Sequence, residues 1–229
     1  MTAAYATRDG FTHRVDGDQG PFGLPLKATG DAGLWIELID GVPYDLINGP
    51  HCPWPLTINQ TARMLSRINR FHGATIAPYS VAQHSVHVAE IVANVPGVVV
   101  MPLDAAYALL HDVHEVVVGD IPSPIKQLLT YQNPTGMIGF EALCDAIDRS
   151  VFRAFGLPKT PSLPTHGAVK KADLIALATE RRDLMPKSHH SWGPLPAPWE
   201  RTIKPWNATE AAAAWSAAAY VITGGSDIA

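Results

Sequence analysis

Residues 108 to 126, ALLHDVHEVVVGDIPSPIK, begin as an apolar helix and then place four ionisable groups within five positions. Burying a charge without a partner is costly in free energy. Either this segment faces water, or its ionisable groups share a partner that compensates for their burial. The second condition requires a fold that brings further polar side chains to this helix. The four groups are His111, Asp112, His114 and Glu115.

Composition limits the class of protein. The chain has 229 residues, 47% of them hydrophobic and 17% charged, with a formal net charge of −4. This length suits one domain with elaborated ends, and the apolar fraction can fill a sizeable core. The mildly acidic balance lacks the basic surface of proteins that bind nucleic-acid polymers. Cys52 and Cys144 form no CxxC pair, which is typical of reduced thiols.

Targeting and membrane segments are not evident in the sequence. The first residues, MTAAYATRDGFTHRV, lack the apolar stretch of a secretory signal. The longest apolar runs are too short, or too interrupted by proline, to span a bilayer. We therefore expect a soluble cytoplasmic protein that has no membrane partner.

The N-terminal quarter of the chain differs in composition from the rest. Residues 1–56 are rich in glycine, proline and aspartate, with one apolar patch, LWIELI, at 34–39. The patch predicts one or two strands, with a hairpin around Asp40 and Gly41.

Helical periodicity begins after this segment. Thr57 and Gln60 have the spacing of a capping box and open a helix of about three turns in TINQTARMLSRINRF. Ser80 and Gln83 repeat this spacing before VAQHSVHVAEIVANV. In that second helix His84 falls in the apolar stripe, so we expect its side chain to be buried.

Three more helices follow in the central part of the chain. Asp104 can cap the third helix, AAYALLHDVHEVVV, which ends at Gly119 before the rigid turn DIPSPIK. A fourth helix is predicted over 138–155, and a fifth begins near Thr165 and contains AVKKADLIALATERRDLM.

The C-terminal part combines an extended segment with a last helix. Five prolines and three tryptophans lie in residues 186–206, which predicts a strap packed across the helical body. Asn207 and Glu210 then form a capping box, an interpretation we prefer to a glycosylation site at NAT. The fold class is mostly α-helical. The predicted units are an N-terminal extension (1–56), a helical core (57–185), and the strap with the last helix (186–229).

The ionisable groups could meet in the core. His111 and Glu115 are one helical turn apart, whereas Asp112 is rotated by about 100° from His111. His111 and Asp112 can therefore bind the same ion only at a place where other helices converge on this one. His84 is a third candidate, and Asp173, within the apolar sequence KKADLIALA, is a fourth.

Two imidazoles and two carboxylates form a mixed nitrogen and oxygen ligand set. Such a set suits a divalent metal with open positions for water or substrate better than a closed structural zinc site. The alternative is that these are hydrogen-bonded core histidines together with capping or surface aspartates.

The stretches YSVAQHSVHVA, ALLHDVHEVVVGDIPSPIK and KKAD, with INRF upstream, resemble the HD-domain metal-dependent phosphohydrolases. They are most similar to the bacterial 5′-deoxynucleotidases and the related phage deoxynucleoside triphosphohydrolases. The likeness covers roughly residues 57–185, and it implies an HD-domain helical bundle. The N-terminal extension and the strap are not part of the compact nucleotidase pattern.

The resemblance implies a role for each candidate residue. Glu115 would lie beside the attacking water, Asp120 near the substrate, and Arg70 would bind the phosphate. Lys126 would add positive charge at the mouth of the site. The metal, one divalent ion (Co, Mn, Mg, Zn or Fe), would be bound by His84, His111, Asp112 and Asp173.

Each of these residues also has a simpler interpretation. Glu115 could be a solvated helix residue, Arg70 could form a surface ion pair, and Asp120 could cap the Ile-Pro turn. His87 and His114 lie one turn from expected ligands, where supporting polar residues are commoner than a second metal site.

The function implied is hydrolysis of a small nucleotide, with phosphate released from a deoxynucleoside 5′-monophosphate. One alternative is a deoxynucleoside triphosphate triphosphohydrolase using the same site, and another is a non-catalytic HD protein that binds a nucleotide or metal. Lys126, Lys170 and Lys171 are few cations for a triphosphate, which favours the monophosphate. We also expect a homo-oligomer, a dimer or larger, with no nucleic-acid polymer as partner.

Overall fold

The computed structural model describes residues 5–8, 11–14, 33–94, 103–132 and 134–228. In these ranges the chain is mostly helical, which confirms the predicted fold class. The strands form two antiparallel hairpins, β1 (Tyr5–Arg8) with β2 (Phe11–Arg14), and β3 (Trp35–Glu37) with β4 (Pro43–Asp45). The helices are α1 (Ile58–Leu65), α2 (Val81–Asn94), α3 (Asp104–Leu110), α4 (Glu115–Val118), α5 (Ser123–Gln132), α6 (Pro134–Ala154), α7 (Leu163–Asp183) and α8 (Ala208–Ile222).

The β3–β4 hairpin turns at the predicted position. Asp40 and Gly41 both have positive φ angles, of 60° and 77°, which an Asp-Gly pair accommodates. The segment after the hairpin packs on the helices, where the buried indole Nε1 of Trp54 donates a hydrogen bond of 3.0 Å to Thr61. The part of the extension beyond residue 33 is therefore joined to the helical core.

Helix α1 is shorter than predicted. Its capping box forms, because the Thr57 hydroxyl accepts from the backbone N–H of Gln60 and Oε1 of Gln60 accepts from the backbone N–H of Thr57. The helix ends at Leu65, however, and the chain that follows pairs with the segment before α2. Arg70 donates its backbone N–H to the carbonyl of Tyr79 at 2.9 Å. These long-range bonds replace the last helical turn, so Arg70 lies outside α1.

Helix α2 lies at the centre of the fold, against α3, α7 and α8. Ser80 accepts from the N–H of Gln83 as predicted, at 3.3 Å, but the Gln83 side chain does not close a capping box. It donates to the carbonyl of Lys204 and accepts from the N–H of Trp206, both at 2.8 Å. His84 is fully buried, as its position in the apolar stripe predicted.

The third predicted helix is broken where its ionisable groups lie. Leu103, rather than Asp104, is the N-cap of α3, which ends at Leu110. The His111 side chain donates through Nδ1 to the carbonyl of Ala108 at 2.7 Å, in place of the regular helical bond to that carbonyl. The next residues make tighter i to i−3 bonds until α4 begins at Glu115. The prediction of one continuous helix is wrong for this reason.

Other boundaries also differ from the sequence prediction. Most of the expected rigid turn DIPSPIK belongs to α5, which begins at Ser123, and α6 begins at Pro134, before the predicted residue 138. The fifth predicted helix, α7, begins at Leu163, two residues before the predicted start near Thr165, and Ser162 is its N-cap.

The strap packs across the helices, in agreement with the prediction. Trp199 and Trp206 pack against the main core, and Ile203 is buried with Tyr79 and Leu184. The last helix has the predicted capping box. In the described part of the chain, no helix has both the length and the apolarity that crossing a bilayer requires. The two cysteines are free thiols.

Candidate metal centre

Four side chains from α2, the break between α3 and α4, and α7 converge in the interior. Nε2 of His84 lies 3.4 Å from Nε2 of His111 and 3.4 Å from Oδ1 of Asp173. Oδ2 of Asp112 lies 3.5 Å from Nε2 of His84 and 3.1 Å from Nε2 of His111. The structure therefore brings together all four residues that were predicted to bind a metal.

The imidazole orientations suit metal binding. Nδ1 of His84 is hydrogen-bonded to Oε1 of Glu180 at 2.6 Å, and Nδ1 of His111 to the carbonyl of Ala108 at 2.7 Å. An acceptor at Nδ1 places the proton on that nitrogen and leaves the lone pair of Nε2 for a metal. Both Nε2 atoms point into the cluster.

The distances also fit an ion. A metal ion about 2.0–2.2 Å from each nitrogen or oxygen requires neighbouring donors roughly 3 to 3.5 Å apart, as found in this cluster. Asp173 lies in the middle of α7 and Asp112 between two helices, so neither is a capping residue. The alternative of histidines and capping aspartates does not account for the convergence of Asp112 and Asp173 on the histidine Nε2 atoms. His84, His111 and Asp173 form one group of possible metal ligands, and Asp112 adjoins this group through the Nε2 atoms of both histidines, so the cluster could hold a divalent metal.

The charges of the cluster depend on one another. Burial alone would lower the pKa of His111, but the carboxylate of Asp112 beside it raises that pKa to about 9. Burial would raise the pKa of Asp112, yet the neighbouring His111, His84 and Arg70 hold it well below its usual range. Protons on the histidines and the charge of Arg70 thus compensate for the carboxylates of the cluster, and a divalent cation could take over the role of the histidine protons.

Glu180 is part of the site, and the sequence analysis did not identify it. Its side chain is fully buried and contacts both His84 and Arg70, whose Nη2 and Nε lie 3.2 and 3.3 Å from Oε2. These cations hold the pKa of Glu180 below its ordinary value against the effect of burial. A signal was present in the sequence, because Glu180 follows Asp173 by seven residues and so lies on the same face of α7.

Arg70 reaches the site through this ion pair. Burial opposes its charge, but Glu180 and then Asp112 raise its pKa. Nη1 lies 3.6 Å from Oδ2 of Asp112, which is longer than a hydrogen bond. The side chain also lines the cavity beside the cluster. The alternative of a surface ion pair is wrong, since only 12% of the Arg70 side chain is exposed and its partner Glu180 is fully buried.

Glu115 is a buried carboxyl group at the wall of the cavity. Only 4% of the residue is exposed, and its Oε2 has no hydrogen-bond partner in the described part of the chain. Burial raises the pKa of Glu115 to about 9, and the negative charges of Asp112 and Asp120 contribute to this rise. The alternative of a solvated helix residue is therefore wrong. Asp112, His114 and Glu115 also form a second group of possible metal ligands.

The remaining candidates divide between the cavity and the core. Asp120 accepts the backbone N–H of Phe71 at 3.2 Å, and Lys126 lines the cavity. His114 is bonded to Asp148 at 3.1 Å. His87 contacts Tyr79 and the strap instead of the metal cluster.

The cavity beside the cluster has a volume of about 1140 Å³. His111, Asp112, Asp173 and Glu115 line it together with several cations and aromatic rings. Besides Arg70, the cations that line it are Lys126, Arg149, Lys159 and Lys170. No sequence motif indicates Arg149 and Lys159, because they come from α6 and from the loop before α7, outside the segments that carry the candidate ligands.

Comparison with known proteins gives relatives but no activity. No protein-family model matches the chain. It is 39% identical over 142 residues to the Escherichia coli protein YfdR, a match that covers 62% of this chain and 66% of YfdR, just under two thirds. It is 31% identical over 153 residues to the Rhodobacter capsulatus protein RCAP_rcc00048, covering 66% of this chain and 72% of that protein. Both relatives are named as uncharacterized proteins.

Proposed function

Because this chain belongs to the same family as RCAP_rcc00048, whose name states no activity, we propose its function from the site itself. The chain is an HD-domain metal-dependent phosphohydrolase that releases phosphate from a deoxynucleoside 5′-monophosphate. The metal is one divalent ion, Co, Mn, Mg, Zn or Fe, held by the two histidines and the two aspartates of the cluster.

A single observation carries this proposal. Four nitrogen and oxygen donors converge beside a large cavity, and a buried carboxyl group with an unpartnered oxygen lines the same cavity. A metal set with an adjacent proton acceptor is what hydrolysis by an activated water requires. A protein that only binds a metal would not require the buried carboxyl group beside it.

The residues of the chain divide the chemistry among them. A divalent cation bound to the cluster would acidify a nearby water, lower the Glu115 pKa and neutralise charge on the phosphoryl group. Glu115 then accepts the proton of the water through its unpartnered Oε2. Arg70, held by Glu180, directs Nη1 to a phosphoryl oxygen, since that nitrogen makes no short hydrogen bond to Asp112. Asp120 holds the backbone beside Arg70 through Phe71.

Cleavage of a deoxynucleoside triphosphate is a second candidate, favoured by the cations of the cavity. Arg149 and Lys159 add to Lys126 and Lys170 and could bind the β- and γ-phosphates. The metal cluster would serve either substrate, because the attack on the α-phosphorus is the same.

The test is phosphate and polyphosphate release from dAMP and dATP at equal concentration, with Mn²⁺, Co²⁺ or Mg²⁺ and with a chelator as control. We expect release of phosphate from dAMP that the chelator abolishes. Tripolyphosphate from dATP with dAMP untouched would favour the second candidate. A protein that binds these nucleotides and releases nothing with any metal would be a non-catalytic HD protein, and the hydrolase proposal would be wrong.

A further inference from the structure

Trp192, in the strap, belongs to a line of contacting side chains that leads to the metal cluster. The guanidinium carbon of Arg181 lies 5.2 Å from the centre of the Trp192 ring. The Trp192 and Phe71 rings are 5.8 Å apart, and the Arg70 guanidinium lies 5.4 Å from the Phe71 ring. Arg70 in turn contacts Asp112 and Glu180. The strap thus reaches the site that the helical core provides.

The inner end of this line is held in an unusual conformation. Phe71 and His72 have positive φ angles of 56° and 53°, which residues other than glycine rarely adopt. The backbone N–H of Phe71 is bonded to Asp120, which compensates for part of the cost of this conformation. The backbone of Phe71 is therefore held at the cavity wall, and Trp192 packs against its ring.

The outer end is ordered by short local bonds. Ser188 accepts the N–H of His190, and Ser191 accepts the N–H of Gly193, whose φ of 80° suits glycine. Nη2 of Arg181 donates to the carbonyl of His190 at 3.2 Å. These bonds present Trp192 to the cavity from a segment that is otherwise exposed.

Trp192 lines the main cavity, and also a smaller one of about 850 Å³ that begins at the same wall. Phe71 contacts Trp192, and Ala74 and Met185 line both cavities together with Trp192, so this part of the wall includes apolar and aromatic side chains.

A phosphate group requires the metal donors and the cations of the cavity. A nucleobase is flat, aromatic and weakly hydrated, so it requires an aromatic surface instead. Tyr107 and Phe152 also line the cavity, but both are buried and pack edge to face on each other, whereas Trp192 is only half-buried. The wall at Trp192 therefore suits the base best, because tryptophan offers a stacking surface that every base can use.

We propose that Trp192 stacks on the base of the bound nucleotide and so determines that the site prefers nucleotides to sugar phosphates without a base. This inference rests on the proposed function for the location of the phosphate. Arg181 is a positioning residue in this arrangement, because it contacts the indole ring and the backbone of the same segment.

The experiment compares the wild-type chain with Trp192→Ala, Trp192→Phe and Trp35→Ala. Trp35 is an exposed tryptophan on the β3–β4 hairpin and serves as the matched control. KM and kcat are measured with Mn²⁺ for dAMP and for 2-deoxyribose 5-phosphate, which has the same phosphate ester and no base. Binding of 2′-deoxyadenosine, which has a base and no phosphate, is measured by calorimetry.

Loss of one stacking contact predicts a rise of about tenfold in KM for dAMP with Trp192→Ala, and a similar loss of 2′-deoxyadenosine affinity. KM for 2-deoxyribose 5-phosphate should not change. Trp192→Phe should retain most of the affinity, and Trp35→Ala should behave as wild type.

Two results would overturn the inference while the hydrolase assignment stands. One is an unchanged KM for dAMP, and the other is an equal rise in KM for both phosphate esters, which would mean that Trp192 only shapes the cavity. If the wild type hydrolyses neither ester but binds 2′-deoxyadenosine through Trp192, the proposed function is wrong and the base site remains. If the wild type neither hydrolyses the two esters nor binds 2′-deoxyadenosine, both the proposed function and the base site are wrong.

Discussion

Oε1 of Glu180 lies 2.6 Å from Nδ1 of His84, and both side chains are fully buried. The bond fixes the ring of a metal-ligand candidate and leaves its Nε2 facing the cluster. The other carboxylate oxygen of Glu180 contacts Arg70, so one buried group orients a metal donor and a phosphate-binding candidate together. Such carboxylate–histidine pairs increase the basicity of the ligating nitrogen.

Replacing Glu180 with glutamine should weaken metal binding by about 10- to 100-fold, the usual effect of removing a partner behind a ligating histidine. It should also lower the free energy of unfolding by about 3 to 5 kcal/mol, because Arg70 is left buried without its main counter-charge. Metal titration and denaturant unfolding measure the two effects. The control is Glu90→Gln, whose partner Arg201 is exposed. Metal affinity equal to that of the wild type would show that Glu180 does not orient His84.

Replacing Asp112 with alanine should abolish stoichiometric metal binding and almost all turnover, since its oxygen is close to both histidine Nε2 atoms. The helical fold should persist, because α2, α3 and α7 keep their apolar faces. Metal analysis and circular dichroism of the purified variant test this. Asp145→Ala is the matched control, because Asp145 lines the same cavity but is exposed. Full metal occupancy in Asp112→Ala would exclude Asp112 as a ligand.

Replacing Glu115 with glutamine should lower kcat by roughly 10² to 10⁴, as for loss of a general acid–base group. Metal binding should remain. The unfolding midpoint of the metal-free protein should rise at pH 7, because a pKa of about 9 keeps this carboxyl group neutral in the folded chain whereas the unfolded chain ionises it, and glutamine removes that cost. Glu141→Gln, at an exposed position of α6, is the control. Loss of metal in proportion to activity would instead make Glu115 a ligand.

Replacing Gln83 with alanine should loosen the strap. Its amide bonds the carbonyl of Lys204 and the N–H of Trp206, and the change leaves both without this partner. We expect a loss of about 1 to 3 kcal/mol in the free energy of unfolding, together with faster proteolysis in the strap. Gln127→Ala, at an exposed position, should show neither effect. Unchanged proteolysis in Gln83→Ala would mean that other contacts hold the strap.

His87 should make the folded protein sensitive to acid. Burial, assisted by the charges of His84 and Arg201 and opposed by Glu180, lowers its pKa from 6.5 to about 4. As the pH falls from 6.5 to about 4, the unfolded chain binds a proton that the folded chain does not. The stability present above pH 6.5 is therefore lost over this range, by up to about 3 kcal/mol.

His87→Gln tests this effect, because an amide can still accept a hydrogen bond from Tyr79 and cannot titrate. Urea unfolding at several values between pH 7 and pH 4 should show a shallower decline for the variant than for the wild type. Parallel declines would show that His87 does not cause the loss.

Local patterns in the sequence predicted the features that depend on neighbours along the chain. The capping boxes at Thr57 and Asn207, the Asp-Gly hairpin turn and the burial of His84 follow from spacing alone, and each is present in the structure. The four metal-ligand candidates were found in the same way, because ionisable groups in apolar helical stripes require partners.

The tertiary structure decided what depends on contacts between distant segments. Glu180 meets Arg70 across 110 residues, and Gln83 leaves its expected capping box for a strap more than 120 residues away. The break after Leu110 exists because His111 bonds a backbone carbonyl while its other nitrogen faces the cluster. A buried polar group takes whichever partner the assembled fold offers, and sequence spacing records only the nearby ones.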